Sequence, residues 1–452
     1  MPQFMESSRW RRMGWLRFLI YFLILFLILH LFTKFTTLSS NQASSPTQQQ
    51  TKTPPPIIAN DVTLDSNYQE LRFDFPWYKT PHPALDALQN PQHTTTKLSE
   101  KKRDELTKKM IDRALEVFRV NNKKKMKFEG ILGSVFKDQN STQAFRDLVD
   151  CWTTGEWVRS DSHFIMPHFQ DAIYGKCDKR FRKEGGQEGE YRDAVKWVWK
   201  SKCDVQMPFQ RERLCDVLRG RHILLVGDLV HYQMHEVLLD SMRNGPTVCF
   251  GELNCKDHTL CEAEPKVNMR YLRNDLLSVR QKMYQNHGHP KADVIEWPFT
   301  QTTILRTYPI VILSRGLVHE SDEAFIDGLV DAIQTIRKQY PKTLVIYRST
   351  SIGHPYCDDA TGPLKKPLSD KELKRLPFGW SELKRRNQIA RAIVEAAGGL
   401  FVDLAALEDL RPDGHIGGND CLRYCIPGPL DSEIQILYQI FLGLEGKIPL
   451  KQ

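Results

Sequence analysis

His231 and His235 lie four residues apart with Glu236 beside the second, a spacing at which one helix face can chelate a metal. The order is not His-Glu-x-x-His and the sequence offers no identifiable third ligand, so ordinary polar contacts are the competing reading. His415 stands beside Asp413 in Arg411-Pro412-Asp413-Gly414-His415, a base next to a carboxylate that could orient it. The alternative there is a loop histidine bonded to nearby backbone. His354, just before Pro355, is a second imidazole, either a substrate contact or a turn residue. Ser349, Thr350 and Ser351 offer hydroxyls that such a base could activate. Trp152, Trp157, Trp197 and Trp199 could stack on sugar rings, although aromatic side chains pack in cores as readily. Neither a Gly-x-Gly-x-x-Gly loop nor a phosphate-loop lysine occurs, and no Cys-x-x-Cys pair, so neither a bound nucleotide cofactor nor a zinc site is expected.

Groups of this kind need elements to hold them. After Leu218 short apolar runs alternate with helical patterns. His222–Val226 precedes a helix-like stretch from His231 to Met242, and Ile310–Leu313 precedes Glu323–Tyr340. Leu344–Tyr347 leads through a polar loop to Ser381–Ala397, and Leu400–Leu404 precedes a last loop and a helix from Asp431. Buried strands alternating with helices predict an α/β fold with a parallel sheet flanked by helices. Ligands bind such sheets at the carboxyl ends of the strands. The loops there are Gly227-Asp228-Leu229, Ser314-Arg315-Gly316, Arg348-Ser349-Thr350 and the segment after Asp403.

The 452 residues carry 63 Lys+Arg against 55 Asp+Glu, a net charge of +8 that is mild for the length and argues against a nucleic-acid binder. A hydrophobic content of 41% excludes wholesale disorder. Phe18–Phe32 reads FLIYFLILFLILHLF. Arginines at 9, 11, 12 and 17 precede the core of this stretch and only Lys34 follows closely. The expectation is a cytosolic tail over 1–14 and a signal anchor over 15–35 that crosses the bilayer once, in type II orientation. A flexible stalk at 36–98, rich in Thr, Ser, Gln and Pro in its first part, would follow. Residues 99–144 read as a basic helical stem, with Leu106, Met110, Ala114 and Phe118 at helical spacing, and 145–445 as the folded domain. Asn140-Ser141-Thr142 is a glycosylation sequon that makes sense in a lumen. All ten cysteines fall between Cys151 and Cys425, where an oxidising compartment would pair them.

In register along the chain stand Cys151…Gly155-Glu156-Trp157-Val158, Lys196-Trp197-Val198-Trp199, Leu218-Arg219-Gly220-Arg221 and Val226-Gly227-Asp228. Arg348-Ser349…His354, Arg411-Pro412-Asp413-Gly414-His415 and Asp420-Cys421-Leu422-Arg423-Tyr424-Cys425-Ile426-Pro427-Gly428…Asp431 follow. Over about residues 145–445 the chain resembles the trichome birefringence-like (PC-esterase) family. The resemblance implies a flavodoxin-like SGNH hydrolase fold in a Golgi or ER membrane protein. It also implies glycan O-acetyl transfer or ester hydrolysis with an acetyl donor and no bound cofactor. The family uses the serine of Gly-Asp-Ser as nucleophile and the pair of an Asp-x-x-His motif. Here the serine position is Leu229 and the histidine position is Arg423, preceded by Asp420. An alkyl group cannot attack a carbonyl, and a guanidinium stays protonated and cannot act as a base. Ser314 falls where the family segment carries an asparagine. Two readings follow. One is a glycan acyltransferase with a rearranged set built on Asp228, Asp413, His415 and Asp420, with Ser314, Arg315, Arg348, His354 and Arg423 contacting substrate. The other is an inactive relative that binds a glycan or a partner enzyme in the same membrane. In the second reading Arg423 either pairs with Asp228 or stays free for an anionic sugar substituent.

Overall fold

The computed structural model describes principally residues 100–120 and 139–446, apart from 162–175, 204–207, 243–253, 288–292 and positions 184, 187–189, 317, 319, 377–378 and 419. The tail, anchor and stalk read from the sequence lie outside the described residues. Among the described residues no helix is long and apolar enough to cross a membrane.

In chain order the helices are α1 (Glu100–Val120), α2 (Gln139–Trp152), α3 (Lys176–Lys183), α4 (Arg211–Leu218), α5 (Leu229–Met242) and α6 (Thr302–Thr307). They continue as α7 (Asp322–Gln339), α8 (Asp370–Leu373), α9 (Leu383–Ala396), α10 (Ala405–Glu408) and α11 (Leu430–Leu444). The main sheet is built from β3 (Ile223–Gly227), β4 (Asn254–Cys261), β5 (Val267–Arg273), β8 (Ile310–Leu313), β9 (Leu344–Arg348) and β10 (Leu400–Val402). Smaller two-stranded pairs are β1 (Gly155–Arg159) with β2 (Trp197–Ser201), β6 (Tyr284–His287) with β7 (Asp293–Glu296), and β11 (His415–Gly417) with β12 (Asp420–Tyr424).

The main sheet runs β10-β9-β8-β3-β5-β4, parallel throughout except for β4, which pairs antiparallel with β5. Numbered along the chain, the five parallel strands take the order 2-1-3-4-5, the doubly wound order whose switch point lies between the first and third strands. Here those strands are β3 and β8. The apolar strand runs have a simple cause, because successive residues of a strand face opposite sides and both sides are covered. Ile223, Leu225, Ile312 and Ile346 pack with α5, α11 and Phe145 of α2. Leu224, Val226, Val311 and Val345 pack with α1, α7 and α9.

Helix α1 lies on the domain rather than standing clear of it. Thr107 Oγ1 donates to Asp322 at 2.9 Å, Arg103 pairs with Glu382, and Phe118 is buried. The apolar stripe expected from the sequence is displaced at its start, with Leu106 46% exposed and Thr107 taking the buried place. Lys101, Lys102, Lys108 and Lys109 face solvent.

Among the described residues four disulfides pair Cys151 with Cys203, Cys177 with Cys425, Cys215 with Cys261 and Cys357 with Cys421, and no described cysteine is free. Of the tryptophans, Trp152, Trp157 and Trp199 are core residues. Trp199 Nε1 donates to the Trp152 carbonyl and Trp157 Nε1 to the Leu407 carbonyl, each at 2.9 Å.

Candidate active-site corner

Strand β3 runs straight into α5, and the join is made by Asp228. Its Oδ1 accepts from His231 N–H at 3.1 Å, which caps the first turn of the helix, and Leu229 is the first helical residue. Leu229 is half-buried there. Burial raises the Asp228 pKa against the pull of the His231 amide and Arg348. The neighbouring strand β8 is followed by Ser314, whose N–H donates to the Val226 carbonyl at 3.0 Å and whose buried Oγ has no hydrogen-bond partner. Gly316 is a glycine for lack of room, since a Cβ would stand 3.1 Å from the Cβ atoms of both Asp228 and Asp275. Asp275, which follows β5, is pushed up to about 6 by burial although it pairs with Arg273 and accepts from Ile295 N–H at 2.8 Å. It is an acid of the switch point that the sequence reading missed, because β5 alternates polar and apolar residues and offers no apolar run to mark its end.

The returning segment at Asp420–Cys425 is held against α5 by one side chain. Gln233 Nε2 donates to the Tyr424 carbonyl at 2.6 Å while its Oε1 accepts from Tyr424 N–H at 2.9 Å. Gln233 is four residues after Leu229, on the same helix face, and Tyr424 is next to Arg423. The fold therefore brings positions 229 and 423 to one corner. Disulfides at Cys421 and Cys425 fix the segment at both sides. Replacing Gln233 with alanine strands two buried backbone groups, and a loss of about 2–6 kcal/mol is expected at about 1–3 kcal/mol each. Urea unfolding of the variant measures it.

Arg423 pairs with Asp420, through Nε to Oδ2 at 2.7 Å, while the Arg423 N–H donates to Asp420 Oδ1 at 3.0 Å. The carboxylate that would orient a histidine here orients a guanidinium. This is neither the Asp228 pairing nor the free cation considered from the sequence.

The imidazoles are withdrawn from the surface. His415 and His354 are 3% and 0% exposed, and His415 Nε2 lies 2.7 Å from His354 Nδ1. The outer nitrogens face carbonyls, His354 Nε2 that of Asp409 at 3.0 Å and His415 Nδ1 that of Arg423 at 3.2 Å. Three contacts need three protons and two neutral rings carry two, so one contact lacks its proton unless the pair takes up a charge. Burial opposes that charge, pushing His415 down to about 3 and His354 well below its ordinary value. Asp413 grips Arg411 with both oxygens, at 2.8 and 2.9 Å, rather than His415.

Besides Arg423, the two other arginines named as substrate contacts are engaged inside the protein. Arg315 is bidentate to Glu320 at 2.9 and 2.6 Å, and Gly328 leaves room for its guanidinium. Arg348 is buried between Glu433, at 2.7 and 3.1 Å, and Glu408, at 2.7 Å. His231 Nε2 lies 3.0 Å from the Ile312 carbonyl, and His235 is buried with neither ring nitrogen partnered. Among the described residues no three His, Cys, Asp or Glu side chains are grouped to hold a metal. Asn140 is exposed in the first turn of α2.

No family model matches the chain. Individual relatives do. Xyloglucan O-acetyltransferase 1 of Arabidopsis thaliana is 22% identical over 365 residues, covering 67% of this chain and 84% of that protein. Protein trichome birefringence, from the same plant, is 24% identical over 360 residues, covering 63% of this chain and 55% of its own length. Protein trichome birefringence-like 12 is 28% identical over 136 residues, 25% of this chain and 33% of that one. The chain thus resembles the trichome birefringence-like family, and its relatives include a polysaccharide O-acetyltransferase.

Proposed function

We propose that this protein is a glycan-binding relative of the polysaccharide O-acetyltransferases that has given up acyl transfer through a covalent serine. The observation that carries the reading is the Arg423–Asp420 pair at 2.7 Å beside the helix that begins with Leu229. The corner keeps the supports of an SGNH-type site and lacks both its nucleophile and its base. His415 is no ready replacement as base, because its Nε2 faces His354 and burial disfavours the imidazolium that a base must become. A rearranged acyltransferase remains the second reading, favoured by the match to xyloglucan O-acetyltransferase 1 across 84% of that protein. It would draw on an acetyl donor and on one of the hydroxyls at Ser349–Ser351.

Titration of the purified chain with xyloglucan oligosaccharides, with and without an acetyl donor, separates the two. Saturable binding with no acetate transferred is the expected outcome, and turnover of the donor would overturn it. We also take the chain to be a single-pass type II protein of the Golgi or ER membrane with this domain in the lumen, a site where a partner enzyme could stand beside it. Four disulfides and the exposed Asn140 sequon support a lumenal domain. Absence of a glycosidase-sensitive mass shift at Asn140 in secretory membranes would count against it.

A further inference from the structure

A second recess lies at the carboxyl end of the outermost strand, β10, enclosed by α9, α10 and the loop that follows β9. Its cavity is about 230 Å³ and is lined by Ile352, Leu368, Phe401, Asp403, Ala406 and Asp409, with Lys384 and Gln388 among its exposed edges. None of the chemistry discussed above uses it. Drug-sized sites run to about 300–1,000 Å³, so this one has room for a single small ring.

The polar groups of the recess select the ligand. Both cations that line it are already paired with aspartates outside it, Arg391 with Asp150 at 2.6 and 2.7 Å and Lys384 with Asp370 at 2.9 Å. Asn387 spends its carboxamide on the Thr350 backbone, accepting its N–H and donating to its carbonyl, both at 2.9 Å. The Asp403 carboxyl is engaged by the Ser349 side chain and the Ala406 N–H, so what remains are the second oxygen of Asp409 and the amide of Gln388, above an apolar floor. Asp409 uses one oxygen, Oδ1, to accept from Ile352 N–H at 2.9 Å. Burial raises the pKa of both aspartates and so disfavours their charge. With both cations and Asn387 committed, a few hydrogen-bonding groups over apolar carbon suit a small ligand with hydroxyls and C–H faces.

The recess is also linked to the corner. The carbonyl of Asp409 meets His354, His354 meets His415, and His415 meets the carbonyl of Arg423, so two imidazole rings span the interval. We propose that this cavity is a subsite for one neutral pyranose residue of the same glycan whose chain reaches the Leu229–Arg423 corner. The inference rests on the glycan-binding reading and adds to it the second point of attachment.

Methyl-labelled protein titrated with free D-xylose and D-glucose tests the recess without the corner, and a xyloglucan oligosaccharide then tests both. The expected result is saturable shifts of the Ala405 and Ala406 methyl signals with at least one monosaccharide. The oligosaccharide should bind at least tenfold tighter than the monosaccharide. Gln388→Trp, at the exposed mouth, should remove those shifts and the tenfold gain, and Ala406→Leu should do the same from the floor. Gln388 is a surface helix position, so that variant should keep the native unfolding midpoint. Oligosaccharide binding that perturbs the corner but leaves Ala405 and Ala406 unshifted would overturn the subsite alone. Absence of any binding would overturn the subsite together with the reading it rests on.

Discussion

Replacement of Arg348 by methionine is expected to cost the domain a large share of its stability. The guanidinium is buried between Glu408 and Glu433, with Ser349 supplying a backbone carbonyl to Nη1 at 3.3 Å. Burial works against its charge, but the two carboxylates outweigh burial and raise its pKa. Glu408 is itself held well above the ordinary carboxylate range by burial, Arg348 notwithstanding. Removing one partner of a buried ion pair leaves an uncompensated charge and costs about 3–5 kcal/mol. Domains have only about 5–15 kcal/mol in total, so the variant should unfold at much lower urea or fail to accumulate. The triple variant Arg348→Met, Glu408→Gln, Glu433→Gln removes the stranded charges and should recover much of the loss. A single variant within about 1 kcal/mol of the native protein would mean that the cluster is solvated rather than dry.

The second large effect is on the acid side. Burial pushes His231, His235 and His415 down to about 3, from an ordinary value of 6.5. Unfolded chains take up these protons as pH falls through about 6.5 and the folded chain does not until about 3, so stability present above 6.5 is lost on the way down. The buried acids act the other way. Asp275, at about 6, together with Asp228, Asp403, Glu408 and Asp409, takes up protons in the folded chain before the unfolded one does. That gain accrues as pH falls toward the ordinary carboxylate range, about 4, and then ends. Below about pH 4 the histidines act unopposed, and three of them give a slope of roughly 4 kcal/mol per pH unit. Urea midpoints should therefore fall less steeply between pH 6.5 and about 4 than between about 4 and 3. His235→Phe should shallow that final slope by about one proton, whereas a uniform decline from pH 6.5 would contradict the opposition of the two sets.

The parallel strands β3, β8, β9 and β10 were legible because each is buried on both faces and reads as an unbroken apolar run. Strand β5 was not, because its alternation Val267, Met269, Tyr271 against Asn268 and Arg270 gives no such run, and with it went Asp275. The alkyl group at position 229 and the guanidinium at 423 could be read directly as missing chemistry. Their placement could not, since it depends on Gln233 reaching across to Tyr424, a pairing of residues 191 apart in sequence. Burial was equally hidden. In the sequence Arg315 and Arg348 look like cations at strand ends, and only the fold, which turns Glu320 back onto Arg315 and brings Glu408 and Glu433 from distant helices to Arg348, reveals them as internal. The recess beside Asp403 and Asp409 draws on four separate segments, and no local pattern marks it.

Refitting the corner gives the most direct measurement. Hydrolysis of an activated acetyl ester by the native chain, by Leu229→Ser, by Arg423→His and by the double variant should show activity in the double variant alone, at least about 100-fold above either single change, as expected when nucleophile and base act together. The opposite result is native turnover equal to that of the double variant, which would mean that another hydroxyl and another base already work in this protein.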